Sequence, residues 1–347
     1  MPSNTRAWIL KEQNGIDSLE IIDQALPEIG DFDVLVKLHA ASLNYRDIVL
    51  ATGSVPLPFF RPGVVPASDG AGIVETVGSK VQAFRPGDRV CTHLTSEMPA
   101  SKTPSMADIC SGLGQHVDGT LRSHGVFHET ALVSMPEGLD FLQASTLTCS
   151  GLTAWNALFG INEYRPRKGA YVLIQGSGGV SIAALQFAVA AGATVIATTS
   201  SSAKATRLKS LGAHHVLNYR DDSNWGETAK NLTHGKGIDL VVDVGGLSTL
   251  PQSFKAVRTN GLIALTGMLG KADGELPSLM DCLMNVCTVR GVLLGTRDQF
   301  DEMNRFTEEK GIRPVVDERV FGFEECKEAY RLLERQGHFS KVCVSLQ

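Results

Sequence analysis

The run YVLIQGSGGV at 171–180 constrains this chain more than any other stretch, because a short buried strand passes through glycines straight into the start of a helix. Gly176, Gly178 and Gly179, with Ser177 between them, let the backbone turn tightly and come close to a pyrophosphate, whose charge then faces the unpaired N–H groups that open the helix at Val180. The last glycine of the usual G-x-G-x-x-G is Ser181 here, a departure that predicts slightly looser packing of helix on sheet. An ordinary glycine-rich turn would carry the same residues, so the surrounding chain decides between the two.

That context alternates apolar strands with helical stretches. Strands are predicted at 194–198, 216–218, 238–243, 262–266 and 289–293, which with 171–175 make six. Their Val/Ile/Leu runs do not alternate with polar residues, as suits a parallel sheet covered on both faces. Helices are predicted over 180–191 and over 202–211, the second closed by Gly212. Right-handed crossovers then give a doubly wound α/β Rossmann domain.

At 347 residues the chain exceeds what one hydrophobic core usually supports. We divide it into a first part, 1–150, the Rossmann domain, 151–293, and a closing part, 294–347. The first part reads as β-rich and barrel-like, with extended segments at 6–10, 33–40, 72–77 and 88–91 and turns at Pro62-Gly63 and Pro86-Gly87. Residues 98–119 form a loop-like insert. Near the end, 313–320 reads as extended, 323–335 as helical and 339–346 as a closing strand that rejoins the first part.

A formal charge of −5 shows no basic excess, which argues against a nucleic-acid partner. No stretch approaches the ~20 continuous apolar residues of a membrane span, and residues 1–9 lack the apolar core of a secretory signal. Seven cysteines, odd in number and scattered, read as reduced. The expectation is a cytoplasmic protein acting on a small-molecule substrate, with no membrane partner.

Several motifs, in this order, resemble the medium-chain dehydrogenase/reductase superfamily and its zinc-independent, quinone-oxidoreductase-like branch: LNYRD at 43–47, SDGAGIV at 68–74, PGDRV at 86–90, DGTL at 118–121, GLTAWNAL at 151–158, GSGGVS at 176–181, LGAHHVLNYR at 211–220 and HFSKV at 338–342. The resemblance implies a GroES-like β-barrel catalytic domain built from both chain ends, with the Rossmann domain inserted between them. It also implies a homodimer joined through edge strands of the Rossmann sheet. Relatives that use zinc hold it with cysteine, histidine and cysteine, where this chain has Asn44, Ser68 and Cys149. An amide and a hydroxyl hold zinc poorly, the four clustered cysteines of a structural zinc are missing, and His93, His116, His124 and His128 fit no compact ligand pattern, so no metal is expected.

Where an acidic residue normally binds the ribose hydroxyls of NAD, at the end of the second Rossmann strand, this chain has Thr199, followed by Ser200, Ser201 and Lys204. Hydroxyls and a cation suit a 2′-phosphate, hence NADPH. Ser200–Ser202 also read as a helix N-cap, and both roles stay open. By resemblance, Tyr219 and Arg220 close over the phosphate and Lys341 reaches the cofactor from the tail. Strand ends at Val244 and Gly245, at Leu265, Thr266 and Gly267, and at Leu293, Leu294 and Gly295 are expected to line the cofactor path. Thr153 is either a pyrophosphate contact or a packing residue.

Without a metal, catalysis relies on positioning and on hydrogen bonds to an oxygen where charge develops, which suits a quinone, an enone or another conjugated carbonyl. Asn44 is the leading group to orient ribose or substrate, and Tyr45 is a candidate proton donor, with simple packing as its alternative. Arg46 and Asp47 are expected to pin their loop by a salt bridge. Residues 52–61 and the insert 98–119 are candidate apolar walls. The rival readings are an NADP-dependent alcohol dehydrogenase or carbonyl reductase of specialised metabolism, and a catalytically silent NADPH-binding protein.

Overall fold

A computed structural model describes residues 2–267 and 276–347. The chain divides into two compact units, Met1–Leu152 with Thr296–Gln347, and Thr153–Gly295.

The first unit begins with an antiparallel pair, β1 (Asn4–Leu10) and β2 (Leu19–Ala25). Its main sheet carries β3 (Asp33–Ser42), β4 (Asp69–Val77), β5 (Arg89–Thr92), β6 (His124–His128) and β7 (Leu132–Ser134). The path runs β3-β4-β5-β7, with β6 paired to β3, and every pairing is antiparallel. Two irregularities in the β3–β4 register, at Leu35/Val36 and Leu38/Ala40, bend the pair, as bulges do. The insert 98–119 holds one element the sequence reading did not place, the helix Met106–Cys110. Ser105 and Asp108 cap it reciprocally: Ser105 N–H donates to the Asp108 carboxylate at 2.8 Å and Asp108 N–H to Ser105 Oγ at 3.2 Å.

The second unit is a parallel sheet of β8 (Tyr171–Gln175), β9 (Thr194–Thr199), β10 (His215–Asn218), β11 (Ile238–Asp243), β12 (Val257–Leu265) and β13 (Thr288–Gly291). Its order, β10-β9-β8-β11-β12-β13, reverses direction beside β8, which is the doubly wound Rossmann arrangement. Leu173, Ile196, Val241 and Ile263, from four adjacent strands, are fully buried in one cluster with Trp225 and Phe254. The helix Gly179–Ala190 buries Ile182, Ala184, Leu185, Phe187 and Ala188, so alanine and large apolar residues share its covered surface.

The last strand, β14 (Cys343–Ser345), returns to the first unit and pairs antiparallel with β3, Val344 opposite Ala41. Phe321, Tyr330, Val342 and Val344 of the tail share a core with Val36, Leu38, Val74 and Val90. The two chain ends therefore fold together. The extended reading of 313–320 does not hold as a strand, and among the described residues only an isolated bridge, Val316 to Lys341, forms there. Asp317 supplies the reason, since its carboxylate accepts the N–H groups of Arg319 and Phe339 and side-chain bonds replace a ladder. The closing strand is also shorter than predicted because Ser340 takes a left-handed backbone at φ 67°. The helical reading of 323–335 resolves into a 3₁₀ turn, Phe323–Glu325, and the α-helix Cys326–Glu334.

Candidate functional site

In the Rossmann unit, β8 ends at Gln175 and the chain turns at Gly176, whose φ of 76° is left-handed and whose N–H donates to Thr198 O at 2.9 Å. Gly178 is the N-cap of the helix Gly179–Ala190, with no side chain of its own to satisfy the first-turn N–H groups of Gly179 and Val180. A Cβ placed on Gly176 or Gly178 would meet nothing within 4 Å. Open space, orphan donors and the positive end of a helix dipole fit a pyrophosphate. Ser177 beside them is nearly buried. Ser181 does not loosen the packing: its hydroxyl donates to Gln175 O at 2.7 Å and ties the helix to the end of β8, a bond glycine has no atom to make.

Beyond β11 the sequence reading missed a network centred on Asp243, which is fully buried. Its carboxylate accepts from Gln175 Nε2 at 3.1 Å, Ser253 Oγ at 2.6 Å, Thr249 Oγ1 at 2.7 Å and Gly246 N–H at 2.9 Å. Four donors thus satisfy the buried carboxyl and fix the strand ends that carry Val244 and Gly245. Thr266 bonds Asp243 O through both its N–H and its hydroxyl, and a side chain on Gly267 would collide with Val244 O. Leu265 ends β12. Past β13, Leu293 is exposed, Leu294 is left-handed at φ 55°, and Leu294 O accepts from Asn156 Nδ2 at 2.7 Å just before Gly295. Thr153 is buried.

At the end of β9, Thr199 is buried and its hydroxyl accepts from Ser201 N–H at 3.3 Å. Ser201 is the N-cap of the helix Ser202–Ser210 and accepts from Lys204 N–H at 3.4 Å. The cap role is therefore present, and Lys204 stands in the first turn behind it. Ser200 is half-buried, and Tyr219 N–H bonds Thr199 O at 3.1 Å while Tyr219 and Arg220 are exposed. Thr199 through Lys204, with Tyr219, gather at one strand edge from two separate segments.

The first unit holds the second cluster. Asn44 precedes the helix Tyr45–Thr52, and its N–H donates to Asp47 Oδ2 at 2.7 Å. Asn44 Oδ1 accepts from Lys341 Nζ at 2.6 Å and from Ser150 Oγ at 3.3 Å, while its Nδ2 is buried without a hydrogen-bond partner. Lys341 also donates to Leu43 O at 2.8 Å and Asp69 Oδ2 at 3.1 Å. Asp69 in turn accepts from Ser68 Oγ at 2.7 Å and Ser42 Oγ at 3.2 Å. An ammonium has three protons, and Lys341 directs them to three acceptors of its own unit.

One expectation changes. Arg46 makes no salt bridge to Asp47; its guanidinium bonds Leu113 O, Ile109 O and Gln115 Oε1. Asp47 is nevertheless buried, and desolvation pushes its carboxyl up to about 6 although the Asn44 N–H opposes that shift. Tyr45, at the first helical position, is exposed and stands apart from the network. Of the expected apolar wall, Leu57 and Phe60 pack on the core while Val55 and Phe59 stay exposed. Sequence reading missed Asp69. The signal was available as one acid directly before the apolar run GAGIV and one lysine inside HFSKVCV, both of which need a partner once buried.

The positions that match zinc ligands do not suit a cation. Asn44 Oδ1 already faces an ammonium, Ser68 serves Asp69, and burial pushes the Cys149 thiol up to about 12, away from the thiolate a metal needs. Among the described residues no group of three or more His, Cys, Asp or Glu side chains gathers to hold a metal. His93 Nδ1 lies 2.9 Å from Thr95 O, His116 Nδ1 3.2 Å from Phe59 O and His128 Nδ1 2.8 Å from Thr130 Oγ1, while His124 faces Glu75 at 3.6 Å. Among the described residues no helix is long and apolar enough to cross a membrane.

Comparison with known proteins matches residues 30–137 to the alcohol dehydrogenase GroES-like domain and residues 179–309 to the zinc-binding dehydrogenase family. A zinc-type alcohol dehydrogenase-like protein of Schizosaccharomyces pombe is 41% identical over 341 residues, 96% of this chain and 97% of that one. A quinone oxidoreductase of Rattus norvegicus is 27% identical over 93% of this chain and 92% of its own length. A solved NAD-dependent alcohol dehydrogenase superposes with a TM-score of 0.87 at 33% identity, covering 99% of this chain and 100% of that one.

Proposed function

Since the chain belongs to the medium-chain dehydrogenase/reductase superfamily and is an oxidoreductase of that family, we propose that it is an NADPH-dependent, zinc-independent reductase of a quinone, an enone or another conjugated carbonyl. The observation that carries this reading is the Lys341 ammonium seated 2.6 Å from Asn44 Oδ1, amid the positions that hold zinc in metal-using relatives. That oxygen already accepts two hydrogen bonds, from Lys341 and from Ser150, which supports reading the site without zinc.

A bound nicotinamide would supply the hydride. The chain's own residues bind and orient. The first-turn N–H groups at Gly179 and Val180 would hold the pyrophosphate. Ser200, Ser201 and Lys204, at a strand end that offers hydroxyls and a cation where an acid would favour NAD, support the 2′-phosphate. The unpartnered Asn44 Nδ2 offers a donor to a substrate oxygen as negative charge develops there, which favours carbonyls whose charge delocalises into an enolate. Protonation by solvent then needs no buried acid, in keeping with an exposed Tyr45.

A cytoplasmic site and a homodimer complete the reading. Seven free cysteines support a reducing compartment. Among the described residues no strand pairs with the outer edge of β13, which supports pairing with a second copy, as does the helix Leu279–Asn285 before it, whose Leu279, Met280, Leu283 and Met284 are exposed.

The test is NADPH oxidation against quinones, α,β-unsaturated ketones, aldehydes and saturated ketones, with NADH and a strong chelator as controls. Turnover with conjugated acceptors is expected to survive chelation, and Lys204→Ala to raise KM for NADPH about tenfold while leaving KM for NADH in place. Loss of activity on chelation, or equal effects on both coenzymes, would remove the corresponding part of the assignment. Turnover confined to alcohols with NADP⁺ would favour the dehydrogenase reading, and tight NADPH binding without turnover the silent one.

A further inference from the structure

Lys341 is only 3% exposed, and all its hydrogen-bond acceptors lie in its own unit. A buried ammonium is costly unless paired, and Asp69, fully buried, supplies the opposite charge at 3.1 Å. That pair leaves Asn44 little choice of orientation. The two ends of a side-chain amide are nearly the same shape, and an unconstrained asparagine can turn either one to a ligand. Here a flip would set an NH2 against an NH3⁺, donor against donor, and would forfeit the charge-assisted bond at 2.6 Å as well as the Ser150 hydroxyl at 3.3 Å. The oxygen must face Lys341. The nitrogen left over, Nδ2, is the buried atom that lacks any partner.

We infer that Lys341, neutralised by Asp69, is a positioning residue that fixes the Asn44 amide as a one-way hydrogen-bond donor, so that the site accepts a ligand oxygen with lone pairs and rejects a group that must donate. This rests on the reading that Asn44 meets the reacting carbonyl. Lys341 touches no substrate atom in this scheme. It acts by removing the flipped state, so that a donor is already aimed when charge develops on the substrate oxygen.

Asn44→Asp keeps an oxygen toward Lys341 and replaces the donor end with an acceptor of the same size. The expected result is a fall in kcat of about 100-fold with KM for NADPH changed less than about twofold. Lys341→Gln together with Asp69→Asn removes both charges, so neither is left buried alone, and is expected to lower kcat about tenfold. Adding Asn44→Ala to that pair should be no worse than Asn44→Ala alone, because both changes act through one amide. Independent, multiplying losses would overturn the inference, as would wild-type turnover in Asn44→Asp.

A ligand-free measurement separates this from the functional reading. In protein labelled with ¹⁵N-asparagine, the Asn44 side-chain NH2 pair, assigned by its absence in Asn44→Asp, should be a single sharp set in the wild type and shift or broaden in the charge-free pair. Unchanged resonances would sink the inference whatever the enzyme turns over. A wild type that oxidises NADPH with none of the acceptors would sink the functional reading and leave the resonances to judge this one.

Discussion

Gly178 and Gly119 show how differently the two units use the same residue. At Gly178 a Cβ would enter empty space beside a helix N-terminus. At Gly119 it would land on the carbonyl oxygens of Ala67 and Pro66. One glycine is small for something outside the protein, the other for the protein itself. The contrast extends beyond glycines. The Rossmann unit leaves donors, space and an apolar helix uncovered, while the barrel unit encloses a lysine, an aspartate and three serines in a network where only Asn44 Nδ2 lacks a partner. On the proposed reading, binding belongs to the first by omission and chemistry to the second by enclosure.

The sharpest way to break this comparison is to add one methyl group to each glycine. Gly119→Ala forces a carbon onto backbone oxygens that have no flexible side chain to yield, and is expected to destabilise the barrel unit by about 3 kcal/mol or more. Thermal or urea unfolding would show it as a lost or strongly shifted transition. Gly178→Ala should leave that transition within about 1 kcal/mol of wild type, since the methyl meets nothing, yet weaken NADPH roughly 100-fold by occupying the place of the pyrophosphate. Calorimetric titration measures the second effect. If Gly178→Ala bound NADPH normally, the space beside the elbow would not be the phosphate site.

The same contrast governs what the sequence made readable. The elbow lies in one contiguous run, so strand, turn and helix could be read in order from Tyr171 to Val180, and the later strands followed because parallel, doubly covered strands leave uninterrupted apolar segments. The barrel network is the opposite case. Lys341 and Asp69 are 272 residues apart, and neither carries a local sign that it will meet the other. Asn44 was readable only as a polar residue at a suggestive place, and which of its ends faces outward depends on that remote lysine. Errors in the tail have the same origin: the Asp317 carboxylate captures two backbone N–H groups, and hydrophobic pattern alone does not report such captures.

A second test concerns the uncovered face. Leu279 is 89% exposed and Leu283 65%, on the helix that leads into β13, the last strand of the sheet among the described residues. Leu283→Glu places a charge on that face without touching the core, and is expected to convert a dimer into a monomer with a solution mass of 37.2 kDa while the unfolding transition of the barrel unit stays in place. Sedimentation or light scattering reads the mass directly. A wild type already monomeric at micromolar concentration would remove the dimer and return this face to an unexplained surface.

The last test lies inside the barrel and probes enclosure through pH. Asp47 is buried with its carboxyl pushed up to about 6 from the usual 3.8, chiefly by desolvation, so between those values the folded protein holds a proton that the unfolded chain has released. A raised pKa of this kind contributes stability that is complete below about pH 4 and is lost as pH climbs through about 6. The side chain introduced by Asp47→Asn would not titrate but would still offer an oxygen to the Asn44 N–H. The stability of Asp47→Asn relative to wild type should therefore increase from pH 4 to pH 7 and then level off, by a margin of up to about 3 kcal/mol for a shift of this size. Groups common to both proteins cancel in that difference, so urea unfolding of the pair at matched pH isolates the one carboxyl. A flat difference across the window would mean that water reaches Asp47, and that the barrel unit is not closed around its charges in the way the contrast with the open elbow requires.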